Sequence, residues 1–196
     1  MVAHAQNNPV VAPHESVAGH SQGEWSRLWW QWAASFEAKD SPVADRTGAL
    51  CAGGQRGPVW FLAGTFGTQR TVRTCTVPQG KHLFFPLINY AVMPTPNEYT
   101  SCAAVRDTAA KMTDKPAALV LDINGQRIAG LQAHRQAPTK CFDMGARTGG
   151  RVRMAPSAAN GYYVMLKPLP RGKHVLNFGG ALPGMLQAVT YTLQVE

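Results

Sequence analysis

Apolar positions change period several times along the chain, and the first periodic stretch is the most distinctive. Trp25, Leu28, Trp29, Trp32 and Phe36 stand at i, i+3, i+4, i+7 and i+11. At about 100° per residue they share an arc of about 100°, the stripe of a core-facing helix. Ser21 with Glu24 three residues on has the form of a capping box and sets the helix start. Four of the chain's five tryptophans lie here, with Trp30 outside the stripe on the side of Arg27 and Ala33. A helix so aromatic must press against a large apolar partner.

The later apolar runs are short and read as strands. Val59 to Ala63 is bounded by Pro58 and Gly64, the form of a buried strand. Thr71 to Val77 is rich in β-branched residues and ends at the turn Pro78-Gln79-Gly80-Lys81. His82 to Asn89 is a second buried run, and Pro86 inside it argues for an edge or a bulge. Ser101 caps a helix from Cys102 to about Met112, with Pro116 as its stop. Leu119–Ile123 meets Gln126–Ile128 across Asn124-Gly125, the pair suited to a type I′ turn, and Asp122 reads as a hairpin residue. Tyr162–Lys167, His174–Phe178 and Ala188–Val195 complete the strands. Residues 38–58, 90–100 and 136–160 read as loops, and 1–19 as a flexible leader. The expectation is a mainly β fold, a β-sandwich or jelly-roll-like single domain over 20–196. The tryptophan helix and the one further short helix pack on it.

Composition agrees with this picture. A chain of 196 residues with 45% apolar content can bury a sizeable core. Only 15% of residues are charged, and 19 glycines with 14 prolines favour a turn-rich β fold. The net charge is +8, yet the basic residues are spread from Arg27 to Lys173. Their nearest approach to a cluster is Arg147, Arg151 and Arg153, so no specific nucleic-acid binding is expected.

Cys51, Cys75, Cys102 and Cys141 show no C-x-x-C spacing. Two disulfides in an oxidising compartment are the favoured use, and nearest-neighbour pairing, Cys51–Cys75 and Cys102–Cys141, is the favoured one of three. Val2-Ala3-His4-Ala5 has the small-x-small pattern of a signal-peptidase site, so the leader reads as the remnant of a signal-peptide region. No apolar run approaches the roughly 20 residues of a membrane-spanning helix. The expected location is the periplasm or the extracellular space.

The segments Gly23-Glu24-Trp25-Ser26, Trp29-Trp30-Gln31-Trp32, Gly57 to Gly64, Cys75-Thr76-Val77-Pro78 and Phe84-Phe85-Pro86 carry a resemblance. So do Pro168-Leu169-Pro170 to His174, Phe178-Gly179-Gly180 and Val189-Thr190-Tyr191. Together they resemble a group of predicted secreted bacterial proteins, over most of the chain from residue 20 onward. The resemblance implies export and a shared fold, and it supplies no catalytic residues.

Chemistry is sparsely signalled. The six histidines lack the H-E-x-x-H or paired spacing of a metal motif, and no metal or cofactor is expected. His82 and His174 each open a strand after a Gly-Lys turn and are placed at one end of the sandwich. Glu24 has a sufficient role in capping. As a site residue it would share its helical face with Gln31, with Trp30 as a stacking surface nearby. Glu24, His82 and His174 are therefore the acid–base candidates, and Trp30, Gln31 and Tyr99 the ligand-binding ones. Tyr90 and Tyr162 are further aromatics of interest. No Gly-x-Ser-x-Gly elbow or phosphate loop is present.

The favoured function is a secreted binding or interaction protein whose partner is a small molecule, a glycan or another protein. The alternatives are an extracytoplasmic hydrolase or lyase with a loop-walled cleft, and a subunit of an extracellular assembly built through strand edges. Oligomerisation is left open.

Overall fold

The computed structural model describes residues 8–66, 70–95 and 100–196. The strands are β1 Val59–Phe61, β2 Thr71–Val77, β3 His82–Val92, β4 Ala118–Ile123, β5 Gln126–Arg127, β6 Arg135–Gln136, β7 Ala158–Leu166, β8 Gly172–Leu182 and β9 Met185–Val195. The helices are α1 Gln22–Ala33 and α2 Cys102–Met112. The strands form two mixed sheets, ordered β1-β3-β7-β6 and β2-β9-β8-β4-β5. The fold is thus mainly β with a minor helical part, as the apolar pattern predicts. The parallel pairings β1 with β3 and β2 with β9 are topological facts that no local pattern announces.

Hydropathy along each strand follows from how many of its sheet's faces are covered. The four-stranded sheet is buried on both faces. Leu83, Phe85, Val164 and Leu166 face Leu121, Leu176, Phe178, Tyr191 and Leu193 of the other sheet. Val59, Phe61, Phe84, Tyr163 and Met165 lie in a second cluster with Trp25, Trp29 and Trp32 of α1. Strands β1, β3 and β7 therefore read as continuous apolar runs. The five-stranded sheet has one face toward solvent, and β2 alternates strictly between buried and exposed positions.

Helix α1 begins as the sequence predicts, with Ser21 Oγ accepting from the Glu24 backbone N–H at 3.2 Å. The reciprocal half of the capping box is replaced, because the Glu24 carboxylate turns to Arg27 at 2.9 Å. Each indole of the helix ties it to a different segment. Trp25 Nε1 donates to the Val17 carbonyl at 2.9 Å and Trp29 Nε1 to that of Leu62 at 3.0 Å. Trp30 Nε1 donates to Tyr163 Oη and Trp32 Nε1 to the Gly53 carbonyl, each at 2.9 Å.

Three expectations are modified. The leader is docked from Pro9 onward: Val11 N–H donates to Met165 O and Lys167 N–H to Pro9 O, both at 2.8 Å, and Val11 and Val17 are buried. Strand β3 is central rather than an edge, and the bulge expected as the alternative at Pro86 is present as a register shift between Pro86 and Ile88. The Gln187 amide, from the facing sheet, donates to Pro86 O at 2.7 Å and Leu87 O at 2.9 Å. Strands β7, β8 and β9 are longer than their apolar cores, since β8 and β9 form one hairpin turning at Pro183-Gly184 with Gly184 at φ 74°.

The disulfides are Cys51–Cys75 and Cys102–Cys141, the nearest-neighbour pairing. The first fastens the 41–54 loop against β2, where Thr74 N–H donates to Thr47 O at 2.9 Å and covers that sheet edge. At the other sheet's edge Gln55 imitates a strand, accepting from Phe61 N–H at 2.9 Å and donating to Phe61 O at 2.8 Å. The α2 helix and the Asn124-Gly125 turn match the sequence, with φ 53° and 83° at the two turn residues.

Arg73 carries a charge into the core, 1% exposed, and the β2 pattern conceals it. Its Nε donates to Asp45 O at 2.7 Å and its Nη2 to Val43 O at 3.0 Å. Its Nη1 donates to Ala63 O at 2.7 Å and Gly64 O at 2.9 Å, and the guanidinium lies 5.5 Å from the Tyr191 ring centroid. Among the described residues it has no ion-pair partner within 4.0 Å, so the charge is solvated by four carbonyls, by the Tyr191 hydroxyl, which accepts from Nη1 at 3.3 Å, and by the Tyr191 ring. Arg73→Met is expected to lower unfolding stability by at least about 3 kcal/mol in urea titrations, because four carbonyls lose their donor. Tyr191→Phe should lose only about 1 kcal/mol. Equal losses in the two variants would refute the assignment of the clamp to the guanidinium.

Candidate functional site

The outer face of the five-stranded sheet is unusual for a surface exposed to water. Along β9 the outward residues are Leu186, Ala188, Thr190, Thr192 and Gln194, and along β8 they are Lys173, Val175, Asn177, Gly179 and Ala181. Lys173 is the one charge in these two rows.

Strand register turns this composition into a groove. Val120, Gly179 and Ala188 lie opposite one another on β4, β8 and β9 and form a floor of small residues. A Cβ at Gly179 would overlap the Gln187 carbonyl oxygen, so close approach of β9 requires glycine there. One residue row along, Asp122, Asn177 and Thr190 form a polar wall, with Leu186 on the other side. The groove measures about 470 Å³, within the range of ligand sites.

The polar wall is wired. Arg70 Nη2 donates to Thr190 Oγ1 at 3.1 Å, and Thr190 Oγ1 donates to Asn177 Oδ1 at 2.7 Å. Asp122 Oδ1 accepts from the Gly125 N–H at 2.9 Å, and its Oδ2 lies 4.0 Å from Arg127 Nε. Asp122 is the one carboxylate among the groove's lining residues, whereas acid–base hydrolysis ordinarily draws on two ionisable groups. Phe178 lines the groove through its backbone, because its ring is buried beside Phe85 and Tyr191.

The residues singled out in the sequence lie elsewhere. Trp30 is half-buried and packs against the buried side chains of Phe142, Met144 and Ala159, on the side of the helix that the stripe leaves open. Its indole edge is committed to Tyr163, whose fully buried hydroxyl is held protonated well above the usual tyrosine range, burial outweighing the donors Asn89 and Trp30. Gln31 is buried, accepting from Arg27 Nη1 at 3.0 Å and donating to Asp143 O at 2.8 Å. Glu24, Arg27 and Gln31 thus form one chain that fastens α1 to the 143 turn. Tyr162 is buried and Tyr90 half-buried, and neither lines the groove; Tyr99 lies outside the described residues.

The two histidines do not form a shared site. His174 has both ring nitrogens engaged, Nδ1 with Asn124 Nδ2 at 3.0 Å and Nε2 with Pro170 O at 2.8 Å. The pairing requires Nε2 to carry the proton. His82 stands at the half-buried start of β3 in the other sheet. No group of three or more His, Cys, Asp or Glu able to hold a metal ion occurs among the described residues. None of the groove residues carries a catalytic or binding signature in the sequence: Asp122 reads as a hairpin residue, and Phe178-Gly179-Gly180 and Val189-Thr190 enter only through the resemblance. The available signal was the lack of charge at alternate positions of β8 and β9.

Comparison with family models, with curated proteins and with solved structures returns no match. The two disulfides indicate an oxidising environment of the kind met by exported proteins. Among the described residues no helix is long and apolar enough to cross a membrane.

Two histidines and one aspartate outside the groove bear on the pH dependence of stability. Burial pushes His134 below the usual histidine range, against an opposing hydrogen bond to the Tyr163 backbone, and burial lowers His82. As pH falls below about 6.5 the unfolded chain binds protons that the folded rings refuse, so stability falls. Burial raises the Asp45 carboxyl, but hydrogen bonds from Leu50 and Thr47 prevail and hold it below the usual range. Its stabilisation is lost only below about pH 4. Urea midpoints should therefore decline between about pH 6.5 and about pH 4.5. The double variant His82→Gln/His134→Gln should flatten that slope; an unchanged slope would assign it to other groups.

Proposed function

We propose that this protein is an exported binding module, working in the periplasm or outside the cell, whose ligand is an extended glycan lying across the five-stranded sheet. The groove with its wired Arg70–Thr190–Asn177 wall carries this reading. Hydroxyl-rich chains suit it, because the wall offers hydroxyl, amide and guanidinium groups beside a small apolar floor. Recognition here runs through hydrogen bonds and shape, since no aromatic ring face lines the groove. Export is supported by the disulfides and by the resemblance to predicted secreted bacterial proteins.

Two observations favour binding over the alternatives. The lone carboxylate gives a hydrolase no acid–base pair in the groove. Of the four sheet edges, β1 and β2 are covered by the chain itself, by Gln55 and by the 47–48 loop, and β5 and β6 are only two residues long, too short to template assembly.

Ala188→Phe raises a ring from the groove floor at an outward position compatible with a strand. It should weaken binding to an oligosaccharide panel by at least about ten-fold, a loss of about 1.4 kcal/mol by titration calorimetry. Its urea midpoint should stay near that of the parent. Undiminished binding in this variant would place the ligand on another surface, and no binding to any oligosaccharide would end the glycan reading.

A further inference from the structure

We infer that the ligand is an acidic oligosaccharide, with carboxylates received by Arg70 and Arg127. This rests on the groove being a glycan site and adds what the glycan must carry. The two arginines approach from opposite edges of the five-stranded sheet: Arg70 immediately precedes β2, and Arg127 ends β5. Their backbones are separated by four inter-strand steps, about 19 Å. The side chains shorten that gap. The Arg70 guanidinium reaches Thr190 on β9, and that of Arg127 faces Asp122 on β4. Strands β9 and β4 are two steps apart, about 10 Å, a separation that carboxylates on a short uronic-acid chain span.

The charge balance in the groove favours an anion. Two guanidinium groups face one carboxylate, and that carboxylate is partly spent, with Oδ1 on the Gly125 N–H and Oδ2 at 4.0 Å from Arg127. The chain around it has a net charge of +8, which draws acidic polymers toward the surface. Arginine is also the side chain whose fork matches a carboxylate in a two-pronged contact. Between the arginines, the uncharged floor of Val120, Gly179 and Ala188 lets a sugar backbone lie flat without stranding a buried charge.

The test compares each acidic chain with its neutral counterpart on the intact protein. Tri-uronates of galacturonic, glucuronic and mannuronic acid are titrated beside galactose, glucose and mannose trimers, in which every carboxylate is a hydroxymethyl group. At least one tri-uronate should bind about ten-fold more tightly than its neutral partner, and added salt should narrow the gap. Arg70→Ala and Arg127→Ala should each weaken the acidic ligand about three-fold, the effect of one solvent-exposed charge pair. The double variant should bind the acidic and neutral members of that pair alike. Equal affinity of the parent protein for acidic and neutral trimers overturns the acidic assignment while leaving the glycan groove standing. Absence of binding to every trimer overturns both.

Discussion

A four-stranded sheet with two apolar faces cannot stand unless both are covered, and the second cover here is led by the short helix α1, with α2 packed farther along β3 and β7. Helix α1 succeeds because its indoles supply area and donors together. Trp25, Trp29 and Trp32 fill the surface over Phe61, Phe84 and Met165, with rings meeting edge-on or tilted at 5.2 to 6.1 Å. Each indole N–H, Trp30 included, ends on a different acceptor: Val17, Leu62, Tyr163 and Gly53. The helix is therefore positioned by direction as well as by contact area. The N-terminal segment, the end of β1, the central strand β7 and the first disulfide loop all take their places from it.

The loops beside that helix depend on Arg73. A buried guanidinium is costly unless its donors are satisfied, and this one is satisfied by carbonyls from two loops, 43–45 and 63–64. Those loops are drawn over the β2 end of the sandwich, where Cys51–Cys75 holds the same region covalently. The 41–54 loop also shields the β2 edge, so clamp, crosslink and edge protection act on one piece of chain. That leaves the outer face of β9, β8 and β4 as the broad surface without an internal task.

The chemistry of that face follows from what it lacks. Water-exposed strands usually carry charges at alternate positions, whereas β8 and β9 present threonine, alanine, glycine and asparagine. The resulting trough is shallow, polar along one wall and bounded by arginines. That form is what the proposed binding of an extended chain rests on. The four tryptophans of α1 are used up in cohesion.

From the sequence alone, the local elements were legible. The period of Trp25, Trp29 and Trp32, the Ser21 and Ser101 caps, the Asn124-Gly125 turn and the continuous runs of β1 and β3 each reflect forces acting over a few residues. Even the disulfide pairing was accessible, since short loops close more readily than long ones. Tertiary structure decided the rest. Pro86 sits in a central strand because Gln187, a hundred residues away, serves its bulge. Arg73 is tolerated in the core because distant carbonyls converge on it. Asn177, Thr190, Asp122 and the two flanking arginines become neighbours only through strand order, a property of long-range pairing that no local pattern encodes.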